Sequence, residues 1–263
     1  MKHRIAIAVA ALMMIASYGL SAQNHMHHRP SFRPQNPAVQ GFGLNFGYVH
    51  SSYKTTEWAT DEKERSAGLD GFVIGVTKDF MLVPRTLYFQ AGVNYIYQND
   101  HKKDDPKTRP ALVARMVGDW TEHYLDIPVK IKYTYPLTYN IGLAAEFGPS
   151  FLMGLSSKME YRAKTSLGTA SASYNYYNAK SKVASGSETI DVGSWMAANG
   201  MLPEGKIRRF DVLLGASVGA DFFDVLEVRL GYDWGLVNRY KGEVANDFNM
   251  KRGQFTLTAG VRF

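Results

Sequence analysis

From Gly253 to Phe263 the chain alternates apolar and polar side chains without a break. Phe255, Leu257, Ala259, Val261 and Phe263 fall on one face, and Gln254, Thr256, Thr258, Gly260 and Arg262 on the other. A period of two over this length predicts an extended strand with one apolar and one polar face. Seven further segments repeat the pattern, at about 40–50, 69–80, 86–98, 121–135, 139–154, 208–221 and 225–237. The first sets Phe42, Leu44, Phe46 and Tyr48 against Gly43, Asn45 and Gly47, and the seventh sets Leu226, Val228, Leu230, Tyr232 and Trp234 against Glu227, Arg229, Gly231, Asp233 and Gly235. The apolar faces carry no charged residue, which a water-exposed sheet has no reason to enforce.

A β-sandwich alternates in the same way, so link length is the second discriminator. The links around 82–85, 136–138 and 222–224 are a few residues long, whereas those at about 52–68, 99–120, 155–207 and 238–252 are long. Strict short–long alternation puts every tight turn at one rim and every long loop at the other. The fold class predicted is therefore all-β: an eight-stranded antiparallel transmembrane β-barrel with short periplasmic turns and long extracellular loops. Tyr48, Tyr95, Tyr97, Tyr133, Tyr135, Tyr139 and Trp234 gather near strand ends, as interfacial girdles require. Pro128 and Pro149 each remove a ladder hydrogen bond, so a bulge or bend is expected there and the facing of residues beyond Pro149 stays open.

The amino-terminal stretch agrees with export. Lys2 and Arg4 precede an uncharged apolar run to Leu20 and a small-residue cut site at Ser21-Ala22-Gln23. The organisation expected is a signal peptide at 1–22, a flexible His/Pro-rich lead-in at 23–39 and the barrel at 40–263, located in the bacterial outer membrane. A new terminus at Gln23 with His25 third, and His27 and His28 behind, has the donors for a square-planar Cu(II) or Ni(II) site. An amino-terminal Gln readily cyclises, and no metal or other cofactor is assigned. The chain has no cysteine, which removes disulfides, thiolate metal sites and cysteine nucleophiles. A net charge of +6 and a pI near 9.3 suit anionic lipid and lipopolysaccharide. Nucleic acid is not expected, because no recognition motif is present.

Eight strands enclose an interior that side chains can fill. The inward positions include Asp126, Lys130, Lys132, Glu146, Asp211, Glu227, Arg229, Asp233 and Arg262. Counting back from the turns sets Glu227 across from Arg262 and Glu146 diagonal to Lys130. Asp126, Lys130, Glu146, Glu227, Arg229, Asp233 and Arg262 are read as a structural charge network, with a small-solute path as the alternative.

Three segments in order, Tyr124-Leu125-Asp126-Ile127-Pro128-Val129-Lys130-Ile131-Lys132-Tyr133, then Gly231-Tyr232-Asp233-Trp234-Gly235-Leu236-Val237-Asn238, then Gly260-Val261-Arg262-Phe263, resemble the PorT-like outer-membrane β-barrel family. The resemblance covers about 40–263 and implies an integral outer-membrane barrel, associated in some relatives with secretion or gliding machinery. It brings no catalytic residues. The third long link, 155–207, is longer than that pattern implies. Its run Ser171-Ala172-Ser173-Tyr174-Asn175-Tyr176-Tyr177-Asn178 suits adaptable protein contact. Lys158, Arg162, Lys164, Lys180 and Lys182 suit lipopolysaccharide phosphates, and the strand ending at Phe263 suits handover to the barrel-assembly machinery.

A lipid-modifying enzyme is the alternative from another class, needing a His with a Ser or an acid at the outer rim. His50 and His123 lie there, but no spacing fixes such a set. No catalytic residue is assigned, and the reading is a non-enzymatic barrel with a structural or interaction role. A lipocalin-like carrier needs the inverse pattern, apolar inside and polar outside.

Overall fold

The computed structural model describes residues 41–57, 63–84, 86–102, 113–138, 140–165, 168–178, 180–185, 206–223, 225–242 and 244–263. The expected leader, the lead-in with His25, His27 and His28, and 186–205 of the third long link lie outside the described residues. Eight long strands form the wall: β1 (Phe42–Glu57), β2 (Lys63–Val83), β3 (Leu87–Lys102), β4 (Val113–Pro136), β5 (Ile141–Thr165), β9 (Phe210–Phe222), β10 (Leu226–Gly235) and β12 (Phe248–Arg262). Each pairs antiparallel with its neighbour, β1 pairs with β12, and the β4–β5 ladder completes the ring.

Closure is staggered. Following paired residues from Phe89 through Ile131, Phe147, Ala216, Tyr232, Phe255, His50 and Asp70 returns to β3 at Asn99, ten positions beyond the start. Such a shear tilts the strands and sets the bore of an eight-stranded barrel, so every inward side chain meets others across the lumen.

The outer surface is apolar. Phe42, Leu44, Ile74, Val93, Ile131, Phe147, Val218, Leu230 and Leu257 are all exposed, a band that water would not stabilise and lipid does. Among the described residues no helix is long and apolar enough to cross a membrane.

The strands run further into the long links than the sequence alternation predicts. β1 reaches Glu57, β4 begins at Val113, β5 continues to Thr165, and β12 begins at Phe248. Beyond the lipid band the outward side chains meet water and turn polar, so only the inward half of the pattern persists, as in Tyr53 and Thr55 or Trp120 and Glu122. The far end of β5 carries a hairpin of β6 (Gly168–Asn175) and β7 (Lys180–Ser185).

Above the ends of β9 and β10, the wall is continued by two short strands, β8 (Lys206–Ile207) and β11 (Tyr240–Lys241). Arg239 N donates to Met250 O at 2.9 Å, Arg208 N to Arg239 O at 2.8 Å, Ile207 N to Tyr176 O at 3.1 Å, and Tyr176 N to Ser157 O at 3.1 Å. This second hydrogen-bonded course links β12 to β5. One helical turn, α1 (Val244–Asp247), leads into β12.

The prolines interrupt pairing without shifting register: the β4–β5 ladder skips from Pro128↔Ser150 to Ile131↔Phe147. The bulge lies instead where His123 faces Ser156 and Tyr124 faces Gly154, leaving Leu155 as an extra residue in β5. Ser150 and Leu152 are buried before it, and Ser157 and Met159 after it, so the bulge exchanges the faces of β5.

Candidate functional site

Seven charged side chains interlock inside the barrel near its short-turn end. Lys132 Nζ lies 3.1 Å from Asp79, 3.7 Å from Glu227 and 3.9 Å from Asp221. Arg229 reaches Glu146 at 3.0 Å, Asp221 at 2.5 Å and Glu227 at 3.2 Å, and Arg262 reaches Glu227 at 2.5 Å and Asp79 at 3.0 Å. Ser217 Oγ donates to Glu146 at 2.7 Å and Gln90 to Asp79 at 2.8 Å. Multiple charge-assisted hydrogen bonds offset the desolvation of groups this deeply placed.

Glu227 thus meets Arg262, but as a diagonal neighbour, since Gly260 is the residue directly across from it, whereas the expected Lys130–Glu146 pairing does not form. Glu146 accepts from Arg229 and Ser217, while Lys130 turns toward the opposite wall and pairs with Asp233 at 3.1 Å. The cause is reach: the Arg229 fork spans to Glu146 from β10, leaving Lys130 to the carboxylate facing it. Asp126 accepts from Asn94 at 2.9 Å one layer higher.

Above these charges sits an apolar belt. Val49, Val73, Ile96, Leu152 and Leu213 pack with Tyr124, all buried. On Tyr124 rests a layer of two guanidinium groups and two phenol rings. Arg252 stacks on Tyr124 at 4.2 Å and Arg239 on Tyr53 at 4.5 Å, measured to ring centroids. Arg239 Nη2 donates to Glu122 at 3.1 Å and to the Tyr124 hydroxyl at 2.6 Å. Glu122 also accepts from Ser157 at 2.9 Å and from Tyr53. Arg252 bonds Ser51 at 3.1 Å and Gln98. The Asp211 carboxylate is buried in the same bore and lies within the field of both arginines, without an ion pair to either.

An aromatic cap closes this end. Trp120 lies 5.3 Å from Tyr53 and 5.4 Å from Tyr176, within a cluster that adds Leu69, Met159, Tyr177, Ile207, Tyr240 and Met250. Gly154 makes room for Tyr177: a Cβ there would collide with the Tyr177 oxygen. Burial pushes the Tyr177 phenol above its ordinary value and keeps it a neutral O–H. β4 passes through every layer in order, with Trp120, Glu122, Tyr124, Asp126, Lys130 and Lys132 inward.

The two rim histidines point outward. His50 Nδ1 lies 2.8 Å from Asp70, which also accepts from Tyr48. His123 Nδ1 is 2.6 Å from the Tyr95 hydroxyl and packs edge-on against Tyr97. Phe46, Phe72, Tyr95, Tyr97 and His123 touch in sequence and form one aromatic band across β1–β4. Among the described residues no group of three or more His, Asp or Glu side chains is arranged to hold a metal ion.

The family model described as outer membrane protein beta-barrel domain matches residues 22–241. The chain belongs to this family. Solved structures similar to this outer-membrane barrel include Ail, the attachment invasion locus protein of Yersinia pestis, in complex with the heparin analogue sucrose octasulfate. It is 13% identical, over 85% of this chain and 99% of that chain, with a TM-score of 0.37. Neisserial surface protein A is 10% identical over 84% and 97%, TM-score 0.37, and the transport unit of the autotransporter AIDA-I from Escherichia coli is 8% identical over 94% and 96%, TM-score 0.32. No curated protein matches the sequence.

Within the outer-membrane barrel, sequence reasoning missed Asp79, Asp221, Glu122, Arg239 and Arg252. Extending the inward parity of their strands by two positions reaches Asp79, Asp221, Glu122 and Arg252. Arg239 follows the end of β10 and carries no such signal.

Proposed function

We propose that this outer-membrane barrel is a scaffold with a closed lumen whose surfaces do its work. Residues 155–207 engage a protein partner through their Tyr/Ser/Asn run, the basic outer end engages lipopolysaccharide phosphates, and the strand ending at Phe263 is presented to the assembly machinery. The resemblance to PorT-like barrels supports a partner within a secretion assembly. The lumen performs no reaction. One observation carries this reading: Glu122, Arg239, Arg252, Tyr53 and Tyr124 are each at most 2% exposed although they stand in the middle of the bore. Groups lining a solute path would be wet.

Planar-bilayer recording tests the closed lumen, with no steady conductance expected from purified protein. Stable channels would favour the small-solute porin instead. Photocrosslinking in intact outer membranes tests the interaction role. A photoreactive residue at Tyr174 or Asn178 is expected to give a discrete protein adduct, and one at Leu230 lipid adducts only. No protein adduct from either loop position overturns the role given to the loop.

A further inference from the structure

Three rows of paired residues cross the outer face of β12, β1 and β2 at the aromatic band. The lowest sets Phe255, His50 and Asp70 side by side, the next Gly253, Ser52 and Gly68, and in the third Lys251 pairs with Lys54. Ser51 and Tyr53 are buried inward, so His50, Ser52 and Lys54 share the outward face, where both lysines are exposed.

The rows carry complementary chemistry. Asp70 holds His50 through Nδ1 at 2.8 Å, which fixes the ring and leaves Nε2 as the basic nitrogen. Glycines flank Ser52 on both strands, and the room they leave is taken by the His50 ring over Gly68 and by the Tyr232 hydroxyl over Gly253. The imidazole lies over Gly68, where a Cβ would stand 3.1 Å from His50 Cε1 and 3.6 Å from Nε2, and a Cβ on Gly253 would meet the Tyr232 hydroxyl before Ser52 Oγ at 3.1 Å. The Ser52 hydroxyl donates only a long bond, 3.4 Å, to the Gly253 carbonyl, and can turn from it. Like charges paired directly across strands disfavour each other unless an anion sits between them.

The geometry points to a lipid acyl-ester hydrolase site on the barrel exterior, with Ser52 as nucleophile, His50 as base, Asp70 as its orienting acid, and Lys54 and Lys251 gripping a phosphate of the substrate. The substrate class is a fatty-acyl ester of a phosphorylated membrane lipid. The aromatic band just below marks the interface, so Ser52 stands at headgroup depth, where such esters lie. This site is separate from the lumen and independent of the scaffold reading.

The reaction balances with water alone. Ser52 Oγ bonds to the ester carbonyl carbon as its proton passes to His50 Nε2. The ester C–O bond breaks, and the departing lipid oxygen takes that proton. Water then adds to the acyl carbon, giving a proton to Nε2, and Ser52 Oγ leaves and recovers it. The products are a fatty acid and a lipid alcohol.

The test uses full-length protein in detergent–lipid mixed micelles, with folding verified by heat-modifiable gel migration. A fluorophosphonate probe is expected to label Ser52, identified by peptide mass spectrometry, and S52A is expected to abolish both labelling and fatty-acid release. H50A is expected to slow release by about 10²–10⁴-fold, the range for losing a general base. K54A with K251A is expected to raise KM, and an unchanged KM would remove the phosphate grip. Release from a diacyl glycerophospholipid or from lipid A identifies which phosphorylated lipid supplies the ester. Folded protein that leaves Ser52 unlabelled and releases fatty acid from neither lipid overturns the site, as does release that persists in S52A.

Discussion

Glu122→Ala should be the most damaging single truncation in the lumen. The carboxylate is fully buried and accepts from Arg239, Ser157 and Tyr53. Removing it strands the Arg239 charge in a layer where Arg252 lies beside the same two rings, with no other acid ion-paired to either cation among the described residues. Breaking a buried pair by deleting one partner costs about 3–5 kcal/mol, and the two orphaned hydroxyls do not add fully to this because they belong to the same hydrogen-bond network. With a slope of about 2 kcal/mol per molar urea, the unfolding midpoint should fall by roughly 1.5–2.5 M. Refolding and unfolding titrations in lipid, read by the gel shift and by tryptophan fluorescence, to which Trp120 beside the layer contributes, give the number. Replacing the pair together, E122L with R239M, should recover most of the loss because neither charge is then left alone. A Glu122→Ala midpoint within about 0.3 M of the parent protein, below about 1 kcal/mol at that slope, refutes the claim that this layer is held by its charges.

Inside and outside of the wall should respond oppositely to the same chemistry. Leu213→Ala, in the buried belt, should cost about 2–5 kcal/mol because the space cannot be refilled, whereas Leu230→Ala, against lipid, should cost less than Leu213→Ala in the same urea titration. Leu230→Arg should cost about 2–4 kcal/mol, the range for a basic residue at the bilayer midplane, and equal tolerance of Leu230→Arg and Leu230→Ala would show that β10 is faced wrongly. Gly154→Val should displace Tyr177 from the cap, and Tyr177→Ala should suppress the defect; proteolysis of the folded protein around 176–178 reads both.

The outward faces were legible because lipid demands apolar side chains at every second position, and Phe42, Leu44, Leu230 and Leu257 stand exposed as that demand requires. The inward faces were legible only where they are charged. Ile96, between two outward tyrosines, and Leu213, between Val212 and Leu214, leave runs in which alternation disappears because both faces are apolar. Periodicity cannot separate such a run from any other buried strand, so the belt stayed hidden. The diagonal from Lys130 to Glu146 was sound as register, but it did not see Arg229 arriving from β10 with a longer, forked side chain.

What remained hidden shares a further cause: position set by the tertiary ring rather than by local pattern. Arg239 is placed when its own N–H bonds Met250 and its carbonyl takes Arg208, a course that exists only once β12 and β5 already stand apart by the width of the barrel. The extra residue at Leu155 acts in the same way. By exchanging the faces of β5 it turns Ser157 and Met159 inward, and so supplies both a hydroxyl for Glu122 and a thioether for the Tyr176 hydroxyl. Without the bulge, the inward parity of β5 would place Ser156 and Lys158 there instead, and the cap would receive a charge in place of Met159. The sequence signal for this switch is faint, since Gly154-Leu155-Ser156-Ser157 reads equally as a loop, yet the closed end of the lumen depends on it.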